Sequence, residues 1–488
     1  MGNLCCANGY SLSPQVNLHY KSLSSASAQR QKVLRNFHSF DSLYNLNKNK
    51  LGYGSYGDVK LCTDKQMLVS KAVKIINKDY LRTANIESSW FYNKIDILNR
   101  LDHPLIVSFY EFFEERDYFY LLMDYHEEGD LLRHMNIKVK LPESHICQVI
   151  QQILIAITYM HKQKIAHRDL KPENVLISTK RGISIKLIDF DTAASFEEKF
   201  LTGAHGTYNY MAPEIVNQQY DEKCDIWSCG IMMYVLLTGK KHLPGLSDKQ
   251  DPNKLKRIKF DFNSPIWAKV SKNAADLLKT MLQRDPKKRI SAENALKHPW
   301  FEQLNYFSYE LAHNLLNKIL TSEISSFAQS AKKFLLYMGG QAPELTEIEK
   351  VFLHLDQNFD GFLSKSDFFS FFCIKHTRSE ALTLSDEIMR KFCKDTEEFI
   401  SFSSFLEVAL DEEKFLEREN LRNFFVFLCG DGAEKIMVGN LLARLGWVKG
   451  WEKGEIECWS KYFESSGRES LDFNEFYQMV VKALRGSI

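Results

Sequence analysis

His167-Arg168-Asp169-Leu170-Lys171-Pro172-Glu173-Asn174 puts a carboxylate, a cation and a metal-binding amide on one short loop. Phosphoryl transfer needs these three held together: an Asp to orient and deprotonate an attacking hydroxyl, and an Asn with a second Asp to hold Mg²⁺ against nucleotide phosphates. The second Asp is present in Asp189-Phe190. A merely charged surface turn has no reason to match all eight positions.

Working outward, Leu51-Gly52-Tyr53-Gly54-Ser55-Tyr56-Gly57-Asp58-Val59 is a glycine loop of the kind that lets backbone N–H groups approach phosphate oxygens without Cβ obstruction. Ala72-Val73-Lys74 follows in a β-branched context, predicting a strand that presents Lys74 to the same phosphates. A dinucleotide-binding turn would run directly into a helix. Here Val59-Lys60-Leu61-Cys62 reads as a strand closing on a turn at Thr63-Asp64-Lys65.

Composition narrows the classes. A chain of 488 residues allows two to four domains, and 63 basic against 62 acidic residues give a net charge of +1, without the basic footprint of a nucleic-acid binder. Ten cysteines without metal-type spacing, no secretory signal and no long apolar run predict a reduced, cytoplasmic chain. Gly2 could be myristoylated and Cys5 and Cys6 palmitoylated, giving membrane association through two lipids, although the usual pattern has Ser or Thr in place of Cys6.

Gly206-Thr207, Met211-Ala212-Pro213-Glu214, Asp225-Ile226-Trp227-Ser228-Cys229-Gly230 and Arg289 complete a series in which residues 44–301 resemble a Ser/Thr protein kinase domain. The resemblance implies an α+β, two-lobed protein kinase fold with a β-rich N-lobe and a helical C-lobe. It implies ATP and Mg²⁺ as cofactors, Leu51, Gly52, Gly54, Gly57, Val59 and Lys74 around the nucleotide, and Met123 as gatekeeper. Asp124 and His126 would lie on the hinge to adenine, and Asp130 at the ribose and at a basic residue of the substrate. Asp169 and Lys171 would be catalytic, with Asn174 and Asp189 as metal ligands. Glu214 and Arg289 would form a buried ion pair, and Asp225 would support the catalytic loop.

Apolar residues at Leu311, Leu315, Ile319, Ile324, Phe327, Ala331, Phe334 and Met338 predict an amphipathic helical junction over 302–341, able to pack on its own domain or to move. Asp356-Gln357-Asn358-Phe359-Asp360-Gly361-Phe362-Leu363-Ser364-Lys365-Ser366-Asp367 then reads as a calcium loop. Its ligands are Asp356, Asn358, Asp360, the Phe362 carbonyl, Ser364 and Asp367, with Gly361 making the turn. The apolar eighth residue of that loop, Leu363, recurs at near-constant spacing as Ile400, Ile436 and Leu471, a four-fold repeat. Cys393 and Ser404 spoil the second loop, Cys429 and Asn440 the third. The fourth keeps Glu464, Ser466, Asp472 and Glu475 but carries Arg468 and Glu469 where a ligand and a glycine belong.

In this order the parts resemble the calcium-dependent protein kinases of plants and protists, implying an all-α four-EF-hand domain over 342–486 behind an autoinhibitory-like junction, with residues 1–43 as a tail. The implied partners are Ca²⁺ and Ser/Thr protein substrates, with a basophilic preference, acting on a monomer. Two departures stand out. Lys94 occupies the helix position where the family has a Glu paired with Lys74, which sets two lysines facing each other. Asp191 replaces a glycine, which predicts backbone strain there. The alternative to an active kinase is a catalytically silent, calcium-sensing scaffold.

Overall fold

In the computed structural model, β-branched and aromatic residues between Leu34 and Met123 build a six-stranded sheet. Its strands are β1 (Leu34–Asn36), β2 (Tyr44–Gly54), β3 (Gly57–Asp64), β4 (Ser70–Asn77), β5 (Phe109–Glu114) and β6 (Tyr118–Met123), in spatial order β1-β5-β6-β4-β3-β2. The structure describes residues 33–54, 56–65, 69–137, 141–197, 200–240, 251–304, 309–321, 343–392, 398–410, 418–429, 434–437, 453–465 and 467–484. Gly2, Cys5 and Cys6 lie outside them.

Neighbouring strands are antiparallel except β1, which runs parallel to β5 with Leu34 opposite Glu111. This corrects the expected tail over 1–43, because Leu34–Asn36 belong to the sheet and Phe40–Leu43 form a short helix. Phe40 is fully buried, stacked on Tyr120 at 4.5 Å and on Tyr44 at 5.4 Å. Asn36 Nδ2 and Tyr44 Oη both donate to the buried Glu111 carboxylate, at 2.7 and 2.6 Å. A three-residue edge strand carries too little periodicity to be read in advance.

Below the sheet lies helix α1 (Ser89–Asn99), whose Phe91 stacks on Phe119 at 4.1 Å. Helices α2 (Glu143–Lys162) and α3 (Lys223–Thr238) are apolar nearly all round and therefore fill the interior of the helical lobe. Helix α4 (Lys272–Met281) packs on α3 and is capped by Ser271, which accepts from Ala274 N at 3.1 Å. The hairpin of β7 (Val175–Ser178) and β8 (Ser184–Leu187) lies between the lobes, with Val107 N donating to Leu187 O.

Beyond residue 301 the described residues are mainly helical. Helix α5 (Tyr309–Thr321) buries Ala312, Leu316 and Ile319 in one cluster with α6 (Pro343–Leu355), α7 (Lys365–Phe372), α8 (Arg378–Phe392) and α9 (Phe402–Ala409). The first part of the junction thus packs into the repeats. Its remainder, from Ile324 to Met338, lies outside the described residues. Strands β9 (Phe362–Ser364) and β10 (Phe399–Ser401) pair with Leu363 opposite Ile400, and β11 (Ile436–Met437) and β12 (Ser470–Leu471) pair with Ile436 opposite Leu471. The four repeat-marking residues therefore meet two by two, all buried. Helices α10 (Arg418–Cys429), α11 (Lys453–Glu464) and α12 (Phe473–Leu484) enclose the second pair around Phe424, Trp459, Phe463 and Phe476. The expected α+β fold, a sheet-rich lobe and a helical lobe followed by paired helical repeats, is the one found.

The first pair of repeats sits directly on the helical lobe. Lys186 and Glu349 form a 2.8 Å ion pair with both side chains largely buried. Ser403 donates through N and Oγ to the Asp102 carboxylate at 3.1 and 2.9 Å, and Lys162 donates to Asn358 O. Gly361, at φ 78°, lies so close to Tyr159 that an added Cβ would come within 2.3 Å of its ring.

Candidate active site

Two hairpin strands and a third beside them form the roof. Gly52 and Gly54 end β2, with Leu51 exposed beside them, while Gly57 and Val59 open β3, where Val59 is opposite Lys74. A Cβ on Gly57 would lie 1.9 Å from Ile75 O, and one on Gly54 would lie 2.8 Å from Lys74 Cε. Side chains there would fill the space over Lys74, so the loop fits a phosphate cradle.

Met123 is buried at the end of β6, opposite Ala72. The carboxylate of Asp124 accepts from Tyr110 Oη and lies 3.9 Å from Lys71 Nζ; burial opposes its charge, but Lys71 and the neighbouring donors hold it below the ordinary aspartate value. Burial lowers His126 to about 4, keeping its ring neutral. Asp130 Oδ1 accepts from Arg133 N at 2.7 Å and so caps the helix Leu131–Ile137.

The floor is the loop from His167 to Asn174, held from below by Asp225. That fully buried carboxylate accepts from His167 N at 2.9 Å, Arg168 N at 2.8 Å and His161 Nε2 at 3.0 Å. Burial raises its pKa, but these donors, His161 first, bring it below the usual value. Asp169 Oδ1 accepts from both N and Oγ1 of Thr207 at 2.7 Å. Asp169 Oδ2 accepts from Lys171 Nζ at 2.8 Å and Asn174 Nδ2 at 3.2 Å. Thr207 stood in the sequence only as part of a motif; the geometry puts it on the Asp169 carboxylate. Its neighbour Gly206 has φ 109°, and a Cβ there would meet Arg168 O at 2.4 Å.

Lys74 does not face Lys94. Its Nζ lies 2.6 Å from Asp189 Oδ1 and 2.5 Å from Asp191 Oδ2, with all three side chains largely buried. The Lys74–Asp191 contact is ionic rather than an aligned hydrogen bond, leaving Asp191 Oδ2 without a true donor. Burial works against the Lys74 ammonium, but the two carboxylates hold it above the ordinary lysine value. Asp191 has to share that cation, and burial, with Asp189 beside it, pushes its carboxyl up to about 6. Nor does the expected strain fall on Asp191: within the catalytic loop and the Asp189–Asp191 segment the left-handed non-glycine residues are Arg168 at φ 70° and Asp189 at φ 63°.

Lys94 turns instead to the backbone, donating to Ala193 O at 2.5 Å. Burial, then the nearby Arg168, lowers it to about 8. The sign follows from linkage. Below that pH the fold holds a charged lysine which the unfolded chain solvates freely, and the penalty fades as pH rises towards the ordinary value of 10.5. Lys94→Met is therefore expected to raise the melting temperature at about pH 7 and to lose that advantage by about pH 10. Melting curves whose difference stayed flat over that range would contradict it.

Below the site, Glu214 accepts from Arg289 Nη1 and Nη2 at 2.5 and 2.9 Å, the buried pair expected from the sequence.

In the first calcium loop, Asp356 accepts from Gly361 N at 2.8 Å and from Asp360 N at 3.1 Å. Burial pushes the Asp356 carboxyl up to about 7, with Asp360 and Asp367 adding repulsion, a cost that a divalent cation would relieve. The donors fit calcium in kind: Asn358 Oδ1 and the Phe362 carbonyl belong to the same loop, and Gly361 has the positive φ of the turn. In position Asp367 differs, because its Oδ2 accepts from Ser364 N and Oγ at 2.8 and 2.6 Å. Among the described residues no three acidic, histidine or cysteine side chains converge on a point. In the fourth loop Arg468 forms an ion pair with Glu475, occupying the acid a cation would need. No helix among the described residues is long and apolar enough to cross a membrane.

The protein kinase domain family matches residues 45–301. Calcium-dependent protein kinase 4 of Plasmodium falciparum is 34% identical over 454 residues, 88% of this chain and 85% of its own length. Calcium-dependent protein kinase 5 of the same organism is 32% identical over 458 residues, covering 92% of this chain and 79% of its own.

Proposed function

Because this chain belongs to the calcium-dependent protein kinase family, we propose that it transfers the γ-phosphate of ATP to Ser or Thr hydroxyls of protein substrates under the control of Ca²⁺. The observation that carries this is the convergence of Thr207, Lys171 and Asn174 on the Asp169 carboxylate beside the Lys74–Asp189 pair. A chain released from catalysis has no chemical reason to keep that set, which weighs against the silent scaffold.

In this reading Asp169 accepts the proton of the incoming hydroxyl at its carboxylate, while Lys171 balances charge on the group in transit. Leu51, Gly52, Gly54, Gly57 and Val59 cover the phosphates and Lys74 pairs with them. Met123, Asp124 and His126 border adenine, and Asp130 borders the ribose and a basic substrate residue once released from its capping role. Asn174 and Asp189 would hold Mg²⁺, which supplies charge neutralisation between the phosphate oxygens. Transfer from labelled ATP to a basic peptide, with and without calcium and with Asp169→Asn as control, tests the reading. No transfer above the control in either condition would overturn it.

Calcium enters through the EF-hand region 342–486, at Asp356, Asn358, Asp360, the Phe362 carbonyl, Ser364 and Asp367, with the junction 302–341 as the segment it controls. A physical route supports this. Gly361 packs on Tyr159, whose hydroxyl accepts from Asp102 N at 2.8 Å in the loop that leaves α1. Acylation at Gly2, Cys5 and Cys6 would add membrane attachment. Calorimetric titration of the full chain is expected to find one calcium site, abolished by Asp356→Ala; three or four sites would contradict the reading of the loops.

A further inference from the structure

A lysine as buried as Lys74 needs a lasting counter-charge. Asp189 can serve only part of the time, since in the reading above it turns to a divalent cation. Helix α1 offers no acid: Asp96 is exposed, and Glu87 precedes the helix and accepts from Ser89 Oγ at 3.1 Å. The side chain that α1 sends towards the site is Lys94, and it binds Ala193 O, two residues past Asp191.

We infer that Asp191 is the positioning residue for Lys74, supplying from the segment after Asp189 the negative charge that α1 lacks, and that Lys94 is its companion change, tying α1 to the same segment through Ala193 O. The link from α1 to Lys74 survives with its polarity reversed. It runs from Lys94 to the Ala193 carbonyl, back along two residues, and from the Asp191 carboxylate to the Lys74 ammonium. Each substitution is harmful without the other. A Glu at position 94 beside Asp191 would crowd three carboxylates around one ammonium. A Gly at position 191 beside Lys94 would leave Lys74 dependent on Asp189 alone, with no acid on α1 to take over. Asp191 Oδ2 is off the hydrogen-bonding line, so its contribution is charge placed at 2.5 Å, and the isosteric neutral residue would lose it.

The inference rests on the reading above for the metal role of Asp189 and for its activity readout, so ATP affinity of the full chain is measured beside the kinetics. Asp191→Asn and Asp191→Gly are each expected to weaken ATP binding on the order of tenfold, a lost contact to a charged group, and to raise KM for ATP more than they lower kcat. Lys94→Glu alone weakens binding by a similar factor. Lys94→Glu combined with Asp191→Gly restores binding to within about threefold of the parent, because it rebuilds one helix acid against one buried cation. Asp191→Asn binding ATP as the parent does would overturn the inference. So would a double variant that melts like the parent but binds no better than its worse single. If the parent transfers no phosphate but the binding pattern holds, the kinase reading fails and the charge relocation stands. If transfer is robust and Asp191→Asn is silent, only the relocation fails.

Discussion

Asp169→Asn is expected to reduce phosphate transfer by about 10²- to 10⁴-fold, the range general-base removal costs, while leaving the fold and ATP affinity close to the parent's. The substitution preserves shape. Thr207 N and Oγ1 can still donate to the retained carbonyl oxygen, so the loop stays anchored. What is lost is the charged oxygen that faces Lys171 and Asn174. An amide nitrogen in that place donates rather than accepts, so it cannot take the hydroxyl proton, and it leaves the Lys171 ammonium with the Thr207 hydroxyl but no counter-charge. Single-turnover transfer to a basic peptide, with ATP affinity and melting temperature measured in parallel, checks this. Activity above a tenth of the parent's would mean that Asp169 does not accept the proton.

The side chains to which the proposed reading gives the chemistry stand out in the sequence because that chemistry would set their spacing. Asp169, Lys171 and Asn174 lie within one loop, and a loop of that length can hold them in a single geometry. Lys74 was readable for a similar reason, since a strand after a glycine turn fixes which residue returns to the phosphates. The supporting cast was less legible. Lys94 and Asp191 each looked like damage along the chain, because nothing in a linear pattern says that a helix lysine turns to the backbone two residues past the carboxylate that pairs with Lys74. The same holds for the segment just after β1, where Phe40 is fixed by ring contacts with Tyr44 and Tyr120. The repeats fall between these cases. Leu363, Ile400, Ile436 and Leu471 gave the period, but only the register shows that they pair across two short ladders. Seating the first pair on Tyr159, Asp102 and Lys186 depends on surface complementarity that periodicity does not encode.

Arg289→Ala should cost about 3–5 kcal/mol, the penalty for breaking a buried pair from one side, and lower the melting temperature of the kinase domain by roughly 10 °C. The Arg289 side chain has no exposed surface, and its guanidinium does several things at once. It grips both oxygens of Glu214, donates to Lys223 O at 2.8 Å and Gln283 O at 2.9 Å, and stacks over Trp227 at 5.1 Å. Truncation strands the Glu214 carboxylate and two carbonyls in an apolar interior, and those desolvated groups account for most of the cost. Removing both ends should therefore be milder than either loss suggests: Glu214→Ala with Arg289→Ala should destabilise by clearly less than the sum of the singles, because no charge is left buried alone. Denaturant unfolding of the two singles and the double measures that coupling. Strict additivity would mean that the two side chains stabilise the fold independently, and that the 2.5 Å contact between them adds nothing of its own.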